Sequence, residues 1–235
     1  MISVCIATYN GEKFIREQLD SILCQISDND ELIISDDGST DDTVNIINSF
    51  NDNRIKLLFN QGRHGYVTNF ENALTRANGD YIILSDQDDI WLPNKVEKVM
   101  NALQTYDLVM HDANIVDGRG NNLGKTFYSI INHHKTNFIA NWLRPRFLGC
   151  CMAFNRKVLK SALPMSSLDH DYWIGMFALY KFKVKFLDDA LINYRRHGNN
   201  VSSTSEKNTN SLYHKLSKRI KLICTLFYRI VFTRS

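Results

Sequence analysis

The chain has 235 residues, 44% hydrophobic and 23% charged, which describes a soluble globular protein with one core, or one core plus an appendage. Five cysteines, odd in number and without paired ligand spacing, exclude a disulfide framework and a structural zinc site and fit a reduced, cytosolic setting. The net charge of +3 is unevenly spread: from Glu206 to Ser235, seven Lys or Arg less one Glu give +6, leaving −3 for the rest.

The first strand, Ser3 to Ala7, starts so early that no basic and apolar leader is expected ahead of it. Phe14, Ile15, Gln18, Leu19, Ile22 and Leu23 form a helical stripe, followed by a strand over Leu32 to Ser35 and a helix over Thr43 to Phe50. A strand at Ile55 to Phe59, a helix at Val67 to Ala77 and a strand at Tyr81 to Leu84 repeat the alternation. Pro93 suits the first turn of a helix over Asn94 to Leu103, and Leu108 to His111 returns to the sheet. Short connections between alternating strands and helices predict an α/β fold with a mostly parallel, doubly wound sheet.

Beyond Asp112 the pattern is less regular. Asp117 to Asn122 reads as a turn and Lys125 to Arg146 as irregular, before a strand at Phe147 to Phe154 and a short helix at Arg156 to Ala162. An aromatic-rich helix over Asp171 to Tyr180 leads into a strand at Val184 to Leu187. Ser202 to Ser211 has the composition of a linker. In the tail, Leu212, Leu216, Ile220, Ile223, Phe227 and Ile230 recur at helical spacing, with His214, Lys218, Lys221 and Arg229 on another face. Such a helix either lies on an anionic membrane surface or packs on its own domain or a partner. Its apolar run is too short to span a bilayer, which takes about 20 residues.

Two acidic turns follow strands: Ser35-Asp36-Asp37-Gly38-Ser39-Thr40-Asp41, and Asp86-Gln87-Asp88-Asp89. With Ala7-Thr8-Tyr9-Asn10 after the first strand, they place three polar loops at the carboxyl edge of a parallel sheet, where ligands bind in such folds. Mg²⁺ or Mn²⁺ is held by one or two carboxylates together with phosphate oxygens, which suits the second turn. The alternative is helix capping, by Asp88 or Asp89 for the helix after Pro93 and by Ser39 or Asp41 for the helix near Thr43. Asp37 is suited to hydrogen-bond a base or ribose and Tyr9 to stack on the base. No glycine-rich dinucleotide turn and no Gly-Lys-Ser/Thr phosphate loop is present.

These motifs, ending in Asp86-Gln87-Asp88-Asp89-Ile90-Trp91-Leu92-Pro93, resemble the family 2 glycosyltransferases, which use nucleotide-sugar donors on the fold called GT-A. The resemblance spans residues 2 to about 200 and is strongest to the branch that builds bacterial surface polysaccharides with rhamnosyl- and galactosyltransferases. It implies a GT-A domain over 1–203 and a linker with a basic amphipathic tail over 204–235. It also implies that Ala7, Thr8, Tyr9, Asn10, Asp36, Asp37, Asn69, Asp86 and Gln87 hold the nucleotide-sugar, and that Asp88 ligates Mg²⁺ or Mn²⁺.

Leu168-Asp169-His170-Asp171-Tyr172-Trp173 is similar to the acidic motif in which the last acid is the general base, here Asp171. Tyr194-Arg195-Arg196-His197-Gly198 resembles the family's closing loop, which implies His197 at the metal and Arg195 and Arg196 at the diphosphate. Gly149 falls where the family forms the acceptor floor, and Trp173 reads as a ring for an acceptor sugar, whereas Trp91 and the Cys150-Cys151 pair read as packing. The activity implied is inverting, metal-dependent transfer of a sugar to a lipid-linked acceptor at the cytoplasmic face of a membrane. Deoxythymidine-diphosphate rhamnose is the first donor expected and a uridine-diphosphate hexose the alternative. No nucleic acid is expected among the partners. From another class, a non-catalytic sugar-nucleotide-binding membrane scaffold is the competing reading, against which Asp88, Asp171 and His197 stand intact.

Overall fold

A computed structural model describes residues 1–131, 137–166, 168–197 and 212–232, with side chains of the last segment from 216 to 229. The first part alternates as the sequence predicts: β1 (Ile2–Thr8), α1 (Ile15–Leu23), β2 (Glu31–Asp36), α2 (Thr43–Asn48), β3 (Ile55–Phe59), α3 (Tyr66–Arg76) and β4 (Tyr81–Ser85). These strands lie in the order β3-β2-β1-β4 and every pair is parallel. Ile33, Ile34, Ile82 and Ile83 are buried on both faces of the sheet, which is why these strands read as continuous apolar runs and not as alternating ones. All four therefore end at one edge, carrying the loops that follow them.

The remaining elements are β5 (Ile90–Trp91), α4 (Lys95–Leu103), β6 (Leu108–Asp117), β7 (Asn122–Thr126), α5 (Phe127–Ile131), α6 (Phe138–Leu143), a 3₁₀ turn (Gly149–Cys151), β8 (Met152–Asn155), α7 (Arg156–Ala162), α8 (His170–Lys181), β9 (Val184–Arg196) and α9 (Leu212–Phe232). The sheet continues β4-β8-β6-β9-β5, with β7 paired to β6. β8 runs antiparallel to both of its neighbours, β9 is parallel to β6, and β5 is antiparallel to β9.

Several expectations change. The strand expected from Phe147 starts only at Met152, because Gly149–Cys151 form a 3₁₀ turn packed on α8, where a Cβ at Gly149 would lie 2.5 Å from His170 Nε2. The stretch expected to be irregular contains α5 and α6. β6 and β9 run far past the expected His111 and Leu187, carried by ladder pairs as far as Asp117 with Arg196. Polar Asn114 and Asn193 hide this in the sequence; their side chains hydrogen-bond each other at 3.2 Å. Pro93 lies outside α4, whose N-cap is Asn94 in the left-handed conformation. His133, His134 and the linker over Ser202 to Ser211 lie outside the described residues.

α9 packs on the body with a face about a quarter to a third of a turn away from its apolar stripe. Leu222 and Leu226 are buried, while Leu216, Ile220, Ile223 and Phe227 of the apolar stripe are 53%, 53%, 42% and 63% exposed. The side chains of Leu212, His214 and Ile230 lie outside the described set. Lys218 pairs with Asp169 at 2.9 Å, Arg219 donates to Leu143 O, and Arg229 donates to Leu163 O at 2.7 Å and to Pro164 O. Leu222→Ala should therefore lower the unfolding free energy by about 2–5 kcal/mol, whereas Ile220→Ala should change it by less than about 0.5 kcal/mol. Equal effects of the two in urea unfolding would place the helix in another docking.

Candidate active site

The crevice lies at the shared carboxyl edge of β1, β2 and β4. β1 is central there, and its following loop is tied to both acidic turns. Tyr9 N donates to Gln87 Oε1 at 2.9 Å and Gln87 Nε2 returns a bond to Tyr9 O at 3.1 Å. On the other side Asn10 N donates to Ser39 Oγ at 2.9 Å and Asn10 Oδ1 accepts from Thr40 N at 2.9 Å. Gln87 and Asn10 thus brace the three loops against one another, leaving the Tyr9 ring 55% exposed.

Asp36 and Thr8 lie beneath the surface of the crevice, not on it. Both are buried, and the Asp36 carboxylate accepts from Thr8 Oγ1 at 3.0 Å, Gly38 N at 3.0 Å and Ser39 N at 2.8 Å, so it shapes the first acidic turn. Asp37 instead faces the loop before α3: it accepts from Gly65 N at 2.7 Å and Asn60 Nδ2 at 2.6 Å, with His64 Nδ1 3.1 Å away. Asn69 is buried and donates to Thr8 O at 3.1 Å, holding the end of β1, which carries Ala7 and Thr8. Asp41 accepts from Thr43 N at 3.1 Å but is not the cap of α2, whose N-cap position is Asp42 without a side-chain capping bond.

The second acidic turn is not a helix cap, since β5 separates Asp88 and Asp89 from α4. His197 Nε2 meets Asp88 Oδ2 at 2.7 Å, 109 residues apart in sequence, so the two ligands implied for a metal come together. The His197 ring is stacked on Phe14, with centroids 4.7 Å apart. Arg195 lies under this turn and not in the crevice. Its Nε donates to Asp88 O at 3.0 Å, its guanidinium to Gly118 O at 3.2 Å and to Glu17 at 2.6 Å, and its backbone N to Asp89 Oδ1 at 3.0 Å. Arg196 closes the β6 ladder opposite Asp117.

Asp86, Asp89 and Cys150 bring an oxygen or sulfur each within 4.8 Å of one another. Burial first, and then the charge of Asp88, push the Asp86 carboxyl up to about 7 and hold Asp89 well above the usual range. Burial also raises the Cys150 thiol, which stays protonated. The buried Lys95, brought down to about 8 by desolvation despite attraction from nearby acids, donates to Cys150 O at 3.1 Å and sits 4.1 Å from the Trp91 ring centre. Trp91 itself is core, as expected, and its Nε1 donates to Ser85 Oγ at 3.0 Å.

A divalent ion is tested against these groups by their chemistry. Asp88 offers a carboxylate oxygen, which suits Mn²⁺ or Mg²⁺, and His197 brings an imidazole nitrogen to the same point, which favours the softer Mn²⁺ of the two. The neighbouring Asp86, Asp89 and Cys150 group adds oxygens, but its protonated thiol is a poor ligand for a hard cation. The residues present therefore fit a metal at Asp88 and His197.

Opposite stands Asp171, in the first turn of α8. Burial and then the charge of Asp169 push its carboxyl up to about 7. It is not the cap of α8; its Oδ1 accepts from Tyr172 N at 2.6 Å. Asp169 sits at the N-cap position without a capping bond and is held below the usual range: burial raises it, but the Tyr66 hydroxyl and Lys218 outweigh this. His170 between them is buried on Phe70, 4.1 Å ring to ring, and burial takes it down to about 4, so it is neutral. Gly149 touches His170 and Asp171, so its missing side chain admits His170.

Trp173 is the clear correction: it is fully buried and donates from Nε1 to Ala162 O at 2.8 Å, so no face is open to a sugar. In the second turn of α8 its ring packs against Phe177, centroids 5.5 Å apart, and the Arg229 guanidinium of the tail helix lies 5.8 Å from its centre. The sequence passed over Lys95 and Tyr66, and named Lys218 only among the basic residues of the tail helix, not beside the site. Only Lys95 carried a signal, as a lysine opening a helix where its charge opposes the dipole.

Comparison with known proteins bears on the family and the fold. Residues 3–163 match the family described as Glycosyl transferase family 2. An uncharacterized glycosyltransferase of Nostoc sp. is 30% identical over 236 residues, covering 89% of this chain and 70% of that protein. The UDP-Glc:alpha-D-GlcNAc-diphosphoundecaprenol beta-1,3-glucosyltransferase of Escherichia coli is 39% identical over 103 residues, 44% of this chain and 41% of that one. Other relatives are spanned over as little as 34% of their length. In fold, the chain is similar to S. aureus TarS solved with UDP-GlcNAc, at TM-score 0.70, 19% identity, and 98% and 66% coverage. It is likewise similar to glucosyl-3-phosphoglycerate synthase from Mycobacterium tuberculosis solved with Mn²⁺, UDP-glucose and phosphoglyceric acid, at TM-score 0.63, 20% identity, and 97% and 79% coverage. The α/β sheet of this chain is of the GT-A type, and the chain belongs to glycosyl transferase family 2.

Proposed function

We propose that residues 1–203 form an inverting, metal-dependent transferase unit that moves a hexose from a nucleotide-sugar to a lipid-linked acceptor, with 204–235 as its accessory tail. The observation that carries it is the meeting of Asp88 and His197 at the edge where the Tyr9 loop and the Asp37 turn also end. In this reading Ala7, Tyr9 and Asp37 hold the nucleoside, and Asp86 faces the donor. A bound Mg²⁺ or Mn²⁺ at Asp88 and His197 would neutralise charge on the leaving diphosphate. Asp171 accepts the proton of the acceptor hydroxyl as that oxygen attacks the anomeric carbon from the opposite side, which inverts the configuration.

For the donor, a uridine-diphosphate hexose is favoured over deoxythymidine-diphosphate rhamnose by the Escherichia coli relative, named for UDP-Glc, and by the two structural neighbours solved with UDP-sugars. The same relative's diphosphoundecaprenol acceptor supports a lipid-linked acceptor here.

A peripheral position on the cytoplasmic face of a membrane is proposed from α9. No helix among the described residues is long and apolar enough to cross a bilayer, and the outward stripe of α9 is apolar. Lys218, Arg219 and Arg229 are engaged with the protein, so among the described side chains of α9 anionic attraction falls to Lys221, and the apolar stripe bears most of the burden. Ile220→Asp with Phe227→Asp should release the protein from vesicles; retention would remove this placement.

Two further outcomes test the chemistry. Asp171→Asn should lower kcat by about 10²–10⁴-fold with donor binding unchanged. Because Asp171 must be ionised to act and its carboxyl is raised to about 7, wild-type kcat/KM should fall roughly tenfold per pH unit below that point and level off above it. Asp88→Asn and His197→Ala should each weaken Mn²⁺ binding by at least about tenfold in calorimetry. Metal affinity indifferent to both would move the ion elsewhere.

A further inference from the structure

The tail helix touches the body beside the proposed base. Lys218 Nζ lies 2.9 Å from Asp169 Oδ2, and the other carboxylate oxygen of Asp169 accepts from the Tyr66 hydroxyl. Tyr66 opens α3 and directly follows Gly65, whose amide is bonded to Asp37 at 2.7 Å. One carboxylate thus joins three separate elements: the loop at the proposed nucleoside site, the start of α8, and the tail. The pair is half-buried, with Lys218 and Asp169 side chains 40% and 36% exposed. Asp169 makes no capping bond to α8, so its hydrogen bonds go to the other two elements.

We propose that Lys218 is a positioning residue for the transfer reaction: with Tyr66 it clamps Asp169, and through that clamp the docked tail sets the charge felt by Asp171. The inference rests on Asp171 being the base, and it deepens that reading by making the tail part of the catalytic apparatus.

The charges around Asp171 give the clamp its sign. On its own helix are Asp169, whose charge disfavours ionisation, and neutral His170. From α3 comes Tyr66, from the turn after β4 Asp86, and from α9 Lys218, which favours ionisation. Lys218 compensates Asp169 while the tail is docked, and undocking leaves that anion uncompensated two residues from the base. A base that holds its proton more tightly is ionised over a narrower range of pH.

The test compares kcat/KM against pH for the full chain carrying Lys218→Met, Lys218→Gln, Asp169→Asn or Lys218→Arg, each with its thermal unfolding midpoint. Both neutral Lys218 variants should move the acid limb to higher pH by about half a unit, Asp169→Asn should move it to lower pH, and Lys218→Arg should restore the wild-type limb. A merely structural contact would lower activity without moving the limb in opposite directions. Limbs that coincide in all variants, or that move the same way for Lys218→Met and Asp169→Asn, overturn the clamp. Asp171→Asn separates the two claims: an active Asp171→Asn variant sinks the base itself. An inactive one alongside unmoved limbs sinks only the clamp.

Discussion

Mutual repulsion among Asp86, Asp88 and Asp89, crowded into four residues at the end of β4, is the constraint to which the rest of the structure conforms. Two like charges 4 Å apart repel by about 4 kcal/mol at an effective dielectric constant of 20, so three carboxylates at a half-buried sheet edge are not tolerated without compensation. Protonation answers part of this, since burial first and then this repulsion raise both Asp86 and Asp89. Distant residues answer the rest. β9 runs 13 residues along β6 and delivers the Arg195 amide to Asp89, its guanidinium to Asp88 O, and His197 to the Asp88 carboxylate. The length of β9 both buries Leu191, Ile192 and Tyr194 in the core and brings its last residues to the acidic turn.

The opposite wall uses the same physics to separate two acids. Asp169 and Asp171 stand two residues apart, yet one is held low by a hydroxyl and a lysine while the other is raised by burial beside it. Two carboxyl groups whose environments drive their proton affinities apart is the arrangement by which a site assigns different duties to chemically identical groups. The neutral His170 between them, packed on Phe70 and closed over by Gly149, keeps water and charge from averaging that difference away.

What the sequence disclosed and what it hid follow from the range of the forces involved. The parallel strands and their polar loops were legible because burial on both faces writes itself as short apolar runs, and a ligand edge is where such runs stop. Asp88 and His197 were named separately in the sequence, and the structure brings them together. Resemblance to a closing loop put Arg195 at the diphosphate and nearness to Asp171 put Trp173 at the acceptor, and only the fold shows that Asp88 O, Glu17 and Ala162 O already engage them. β6 and β9 were cut short because Asn114 and Asn193 satisfy each other across the ladder, a pairing that no local pattern announces.

The tail helix shows how far such hidden partners can reverse a pattern. Its apolar stripe suggested a face to bury and its basic residues a face to expose, but Arg219 and Arg229 reach the carbonyls that end α6 and follow α7. Those carbonyls have no partner within their own helices, and a cation at a helix C-terminus also meets a favourable dipole, so guanidinium groups are well matched to them. Once the basic side is spent on two short helices and on Asp169, Leu222 and Leu226 suffice to fill the contact, and the stripe of Leu216, Ile220, Ile223 and Phe227 is left facing out. The helix is therefore bound to the body through two leucines and through polar groups, the lysine beside the proposed base among them, while the rest of its apolar residues face out.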